Sequence, residues 1–463
     1  MKKGSSPEIH IGILKAGRIR FSLDGPHRID KGDETLEGRA EARLKDGNIE
    51  VIQDNNIKII QDEQHEDFGR EVTLYPGDAD SQRFTLSDVV IGIGFHWEQK
   101  EDQVFQGALK LKVVDGMIQA INIIPVENYL ISVISSEMRG DSSSALLKAH
   151  TIISRSWLLA QIEKQEALIA AGKEYTLIHE TVDEYVRWYD REDHDEFHVC
   201  ADDHCQRYQG ITKANNPAVV KAVTDTSGEV LVFGNRICDA RFSKCCGGIT
   251  ETFENCWEPV VHPYLQRVVD KPGSVQLNTV NGNPIDLKIE AVAARFIEGT
   301  PDAFCNTDDA TLLRQVLNDY DQTSSDFYRW DVTFSQGELA ALIREKSGID
   351  FGDIIDLMPI ERGESGRIVR LKIVGTRKTL IIGKELEIRR WLSPSHLYSS
   401  AFIVEKSNML DQVPGEFKLR GAGWGHGVGL CQIGAAVMAS KEYSHTEILM
   451  HYFRDAFIEK RYE

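Results

Sequence analysis

The chain has no apolar run near the ~20 residues that a membrane-spanning helix requires, so no stretch of it reads as a transmembrane segment. Nor does its start predict an export leader. Met1-Lys2-Lys3-Gly4-Ser5-Ser6-Pro7 runs straight into the alternating stretch Ile9 to Ile13, a strand pattern and not the apolar core of a signal peptide. Positive charge is scarce: 53 Lys+Arg against 72 Asp+Glu leave a net charge of −19. That balance argues against a nucleic-acid partner, because phosphate contacts need a basic face. Eight cysteines in 463 residues are too few for a disulfide-stapled secreted domain. Repeats and low-complexity tracts are absent. What is present, 41% hydrophobic and 27% charged residues, suffices for a sizeable core, and the length predicts two to four structural units or one domain with large insertions.

Short strand patterns fill the first 125 residues, among them Ile9–Leu14, Ile19–Leu23, Leu109–Val114 and Met117–Ile124. Turn signals such as Asp46-Gly47-Asn48 and Val114-Asp115-Gly116 separate them, which predicts antiparallel β structure. After Pro125 the period changes. Tyr129, Leu130, Val133 and Ile134 recur at helical steps up to Met138, and a second helix is expected from a cap near Ser142 to about Ala171. Further expectations are a helix at Pro217–Thr224, strands Glu229–Phe233 and Ile237–Ser243, and a β-rich segment at about 270–415 with one helix near Gly337–Ser347. A strand at Gly415–Leu419 then leads into a glycine-rich loop and a last helix around Gln432–Lys441. Strands and helices are grouped, not alternating, which predicts an α+β fold, mainly antiparallel β with a helical segment and a C-terminal helix.

Four segments have residues suited to chemistry. Glu137 closes an otherwise apolar helix, at the end where the helix dipole disfavours a carboxylate; partial burial there raises its pKa and suits a general acid. Lys244-Cys245-Cys246-Gly247-Gly248 reads as a tight turn with buried thiols, or as a thiol nucleophile with His426 as base. In Gly421-Ala422-Gly423-Trp424-Gly425-His426-Gly427-Val428-Gly429, alternate glycines leave one face bare. Trp424 and His426 then project from a floor that a large ligand touches or that another backbone packs against. Finally, Cys200 and Cys205 lie near His194, His198 and His204, a ligand set suited to zinc at a spacing that matches no standard finger. The ten acids between residues 180 and 203 read as a solvated face.

Three blocks in order resemble the SpoIID/LytB family of peptidoglycan lytic transglycosylases and amidase enhancers. They are Pro125-Val126-Glu127-Asn128-Tyr129-Leu130 through Ser136-Glu137-Met138 to Ser154-Arg155-Ser156-Trp157; Ala240-Arg241-Phe242-Ser243 to Gly247-Gly248-Ile249-Thr250-Glu251; and Gly423-Trp424-Gly425-His426-Gly427-Val428-Gly429 with Gln432-Ile433-Gly434-Ala435. Glu364-Ser365-Gly366-Arg367 joins them, so the likeness spans about 120 to 460. The resemblance implies an N-terminal β-rich region at 1–120 and a catalytic region at 121–463 with an insertion at about 160–200. It implies Glu137 as the single catalytic acid/base, giving 1,6-anhydro-muramoyl products. Arg155, Lys244, Gly247, Gly248, His426 and Gln432 are the implied glycan-binding residues. No cofactor is needed for catalysis; a structural zinc would sit on His194, Cys200 and Cys205, with His198 or His204 as replacements for His194. Peptidoglycan glycan strands are the implied partner, and a cell-wall amidase is the partner on the alternative, non-catalytic enhancer reading. The cell envelope is the location the resemblance implies, although no signal peptide is visible.

Overall fold

The computed structural model describes residues 6–463 except 31–33, 54–55, 60–68, 92–98, 140, 172–177, 189–193, 203–204, 213, 215, 274–278, 281–282 and 317–325. The opening alternation becomes an 11-stranded sheet, antiparallel but for one pairing. Strand Arg18–Ile29 illustrates the cause: Ile19, Phe21, Leu23, His27 and Ile29 are buried while Arg18, Arg20 and Arg28 are exposed on the other face. The turns Asp46-Gly47 and Asp115-Gly116 have both residues at positive φ, the geometry that matches strand twist in tight hairpins. Strand Met117–Pro125 pairs with Glu8–Ala16 on one side and Ala108–Val114 on the other, then runs directly into α1 (Val126–Glu137). A division at 120/121 therefore falls inside a strand.

The helix α1 and its neighbour α2 (Ser144–Ala171) bury the predicted stripes, Tyr129, Leu130, Val133 and Ile134 against Leu146, Ala149, Ile152, Ile153 and Leu158. Both join one core with the N-terminal sheet. The cap of α2 is Ser143, whose hydroxyl accepts from Leu146 N at 3.2 Å; Gly140 in the preceding break lies outside the described residues. Next comes α3 (Pro217–Asp225), capped by Asn216 with proline at its start.

A second core forms between residues 330 and 419. Segment 270–415 holds four helices among the described residues instead of one: α4 (Glu290–Glu298), α5 (Ala310–Val316), α6 (Gln336–Ser347) and α7 (Glu385–Trp391). The three unforeseen helices have only seven to nine residues, too few for a period to show. In α7 the charged residues Glu385, Glu387 and Arg389 are buried alongside Ile388 and Trp391, which hides any amphipathic stripe. The expected strand Ile237–Ser243 is interrupted. Only Arg236–Ile237 and Phe242–Ser243 are extended, because the intervening chain turns around an Asp239–Arg241 ion pair (2.6 Å).

The glycine-rich loop is followed by α8 (Gln432–Ser440), and this is not the last helix. α9 (His445–Tyr452) follows, opened by a capping box of Ser444 and Glu447. Strand Phe457–Lys460 then returns to pair with Glu229–Phe233. No helix among the described residues is long and apolar enough to cross a membrane.

Candidate functional site

Each end of α1 carries a glutamate. At the N-terminal end Glu127 is fully engaged: Arg155 Nε and Nη2 donate to its two oxygens at 3.0 and 2.6 Å, and Tyr462 OH and Gly228 N donate at 2.6 and 3.2 Å. Arg155 has no exposed side-chain surface and spends its remaining donor on the Glu229 carbonyl at 3.0 Å. It is thus a buried tie between α1, α2 and the strand at 229–233, with no surface left for a glycan. At the other end Glu137 is the last residue of α1, half-buried, in a final turn without a basic residue.

Residues 206–209 lie along α1. Tyr129 OH donates to Gln206 at 3.4 Å, Ser132 Oγ accepts from Gln209 N at 3.2 Å, and the Tyr129 and Tyr208 rings stack at 5.1 Å. Val199–Cys200 adds a short parallel strand to Glu8–Ala16. Within this loop His194, Cys200 and Cys205 converge, their ligand atoms all within 4.8 Å of one another and His194 Nε2 3.4 Å from Cys205 Sγ. Two thiols and an imidazole at these separations suit one soft divalent cation. His198 faces away, its Nδ1 accepting from His10 N at 3.1 Å. His204, with Asp190, Glu192, Asp193 and Asp203 of the acidic run, lies outside the described residues.

The central turn and the glycine loop pack backbone to backbone. Cys245 and Trp424 exchange two main-chain hydrogen bonds of 2.9 and 2.8 Å, and Glu251 N donates to the Gly427 carbonyl at 2.9 Å. A Cβ on Gly423 would lie 2.8 Å from the Cys245 carbonyl, and one on Gly427 2.4 Å from the Arg367 guanidinium; both residues also have φ of +77°. The alternate glycines are therefore required by close packing. Arg367, fully buried, donates to the carbonyls of Gly425 (3.0 Å) and Cys246 (3.2 Å), while the Glu251 carboxylate accepts from Glu364 N, Ser365 N and Ser365 Oγ. One lattice thus uses Glu251, Ser365, Arg367 and the glycines. Gly247 and Gly248 are buried within it.

Gln432 is buried as well, its amide 3.0 Å from His150 Nε2, and the His150 ring meets Phe242 edge-on at 4.5 Å. Through His150, α2 touches both downstream blocks. The thiols at 245 and 246 are buried, and Cys246 Sγ faces Asp270 and Cys305, not His426. That geometry replaces the thiol-nucleophile alternative. Of the residues expected to contact a glycan, Lys244 and His426 keep partial exposure. The His426 ring meets Trp257 edge-on at 4.6 Å, and Arg241 lies over Trp257 at 4.3 Å. Burial, then the nearby Arg389, Arg241 and Arg367, holds the His426 pKa well below its ordinary value, so the imidazole is neutral.

Residues 114–233, which contain α1, α2 and the His194/Cys200/Cys205 loop, match the family described as Stage II sporulation protein. Stage II sporulation protein D of Bacillus amyloliquefaciens is 23% identical over 348 residues, covering 74% of this chain and 78% of that protein. Both matches support membership of the SpoIID family. An uncharacterized protein of Brachyspira hyodysenteriae is also 23% identical, over 75% of this chain and 70% of its own length. Residues 251–429 match a domain of unknown function, a second recognisable unit that runs from the end of the central block through the glycine loop. Two groups escaped sequence reasoning. Tyr462 closes the Glu127 network from 335 positions away, and Asp270 and Cys305 meet Cys246 and Cys431. Only the clustering of cysteines between 200 and 256 hinted at the latter.

Proposed function

We propose that the protein is a peptidoglycan lytic transglycosylase in which Glu137 is the single general acid/base. The observation that supports this most is the position of Glu137: half-buried, at the C-terminal end of α1, within the segment that matches the family. Protonated Glu137 donates to the glycosidic oxygen between N-acetylmuramic acid and N-acetylglucosamine. The resulting carboxylate takes the proton of the muramoyl C6 hydroxyl as that oxygen bonds to C1, which closes the 1,6-anhydro ring. One carboxyl suffices because the substrate supplies the nucleophile, whereas water-using glycosidases need two. Lys244 and His426, with the ring of Trp257 against His426, offer polar and stacking contacts to sugar faces. Arg155, Gly247, Gly248 and Gln432 act from within the protein, by holding the elements in place.

His194, Cys200 and Cys205 would hold a structural zinc that fixes the loop against α1; the chemistry uses no step through it. The Glu137→Gln variant tests the reading. It is expected to bind sacculi, keep its metal content and release no anhydro-muropeptides. Undiminished release would overturn the assignment; absence of release from the wild type, with binding retained, would favour the non-catalytic amidase-enhancer reading.

A further inference from the structure

A second cluster of soft ligands lies deep in the protein, away from the loop at 194–205. Cys246, Asp270, Cys305 and Cys431 place three thiol sulfurs and a carboxylate within 4.8 Å of one another, and all four residues are buried. They come from four separate pieces of chain: the central turn, the segment after Val269, the loop between α4 and α5, and the N-cap of α8. We propose that this is a structural zinc site with Cys3Asp ligation.

The separations fit one ion. A tetrahedral centre with bonds of about 2.3 Å to sulfur and about 2.0 Å to oxygen has ligand edges of about 3.8 Å (sulfur to sulfur) and about 3.5 Å (sulfur to oxygen). Cys246 Sγ lies 3.5 Å from Cys305 Sγ and 3.6 Å from Asp270 Oδ2. The surroundings also suit thiolates. Cys246 N points at Cys431 Sγ (3.2 Å) and Gly248 N at Cys246 Sγ (3.4 Å). On the carbonyl side of the same turn, Arg367 donates to Cys246 and Arg329 to Gly247 (3.0 Å), so two cations offset the excess negative charge. An outer layer orients the carboxylate: Tyr452 OH donates to Asp270 Oδ1 at 2.7 Å, Cys305 N to Oδ2 at 3.0 Å, and His451 Nε2 stands 3.7 Å from Oδ1.

Asp270 has no exposed surface and no Lys or Arg partner within 4.0 Å among the described residues. An ionised carboxylate buried in this way is costly unless a cation balances it. Glycine at position 434 keeps the space open, since a Cβ there would come within 2.7 and 2.8 Å of the two Asp270 oxygens. The first turn of α8 favours a carboxylate on its own, but it does not account for three sulfurs converging on the same point. Zinc binding releases the protons of the thiols that ligate it and changes no oxidation state. Its effect is to clamp the central turn, the unit at 251–429 and α8 together.

The Cys200→Ser/Cys205→Ser variant isolates this site from the loop. Purified from zinc-supplemented cells, it is expected to retain one zinc per chain by mass spectrometry. Its X-ray absorption spectrum should fit three sulfurs and one light atom. Adding Cys246→Ser/Cys305→Ser should bring zinc below a tenth of an equivalent. The spectrum stands by itself if that second variant fails to fold. A metal-free Cys200→Ser/Cys205→Ser protein with native circular dichroism would overturn the proposal. So would an intact-mass loss showing a disulfide between Cys246 and Cys305.

Discussion

The two ends of α1 carry the same side chain in opposite circumstances. Glu127 sits where the helix dipole welcomes negative charge, and it receives four donors, two of them from a guanidinium with no exposure. Glu137 sits where the dipole opposes negative charge, half-exposed, with no basic residue in its turn. Glu127 is spent on holding α1, α2 and the strand at 229–233 together. The comparison teaches that membership of the family motif does not by itself separate chemistry from architecture; the proposed acid is the carboxyl at the end of the helix where the dipole disfavours charge.

The contrast is broken or sharpened most strongly by exchanging the two losses. Glu137→Gln is expected to lower the rate of anhydro-product release by about 10²–10⁴-fold, the usual range for a general acid, with the melting temperature unchanged. Glu127→Gln should do the reverse, lowering stability while activity per folded molecule persists; equal effects on both readouts in both variants would erase the distinction. Arg155→Ala leaves the partly buried Glu127 beside an empty position, and about 3 kcal/mol of stability should be lost in urea titrations. Gly427→Ala combines a left-handed backbone with a clash against Arg367, for an expected cost of about 2–4 kcal/mol by the same measurement.

The pH dependence is expected to be one-sided. Burial, with Lys244 nearby, lowers the His150 pKa to about 3, and burial, with Arg389 nearby, lowers that of His396 to about 4. Both lie below the unfolded value of about 6.5, so the unfolded chain binds more protons between these limits. Stability should be complete above pH ~6.5 and fall as pH drops towards 4 and then 3. A urea midpoint that stays flat over that window would contradict this. The smallest effect is Ser444→Ala, which removes the α9 cap and should cost about 1 kcal/mol.

Reading from sequence succeeded where one residue's neighbours are close in the chain. The alternation of Arg18–Ile29, the stripes of α1 and α2 and the Asp-Gly turns need only periods and local sterics, and the structure bears them out. The α+β class followed from their grouping. It failed where the deciding contact is remote. Arg155 looks like a free cation until Glu127 and Glu229 close around it, and Gln432 looks polar and available until His150 meets it. The glycines of 421–429 read equally well as a ligand floor or a packed bend, and only the remote groups opposite them, such as the backbone of 245–247 and the Arg367 guanidinium, decide for packing. Short α4, α5 and α7 contain too few turns to display a stripe. The convergence of His194, Cys200 and Cys205 was foreseen because all three lie within a dozen residues; Asp270 and Cys305 were not, because nothing local ties them to Cys431.

The central claim is that the substrate's own hydroxyl, and not water, attacks the sugar. Digestion of glycan strands in water enriched in oxygen-18, followed by mass spectrometry of the soluble fragments, tests it directly. The account predicts new ends that are 1,6-anhydro-muramoyl and carry no heavy oxygen. Reducing ends labelled with one oxygen-18 per cut would contradict it.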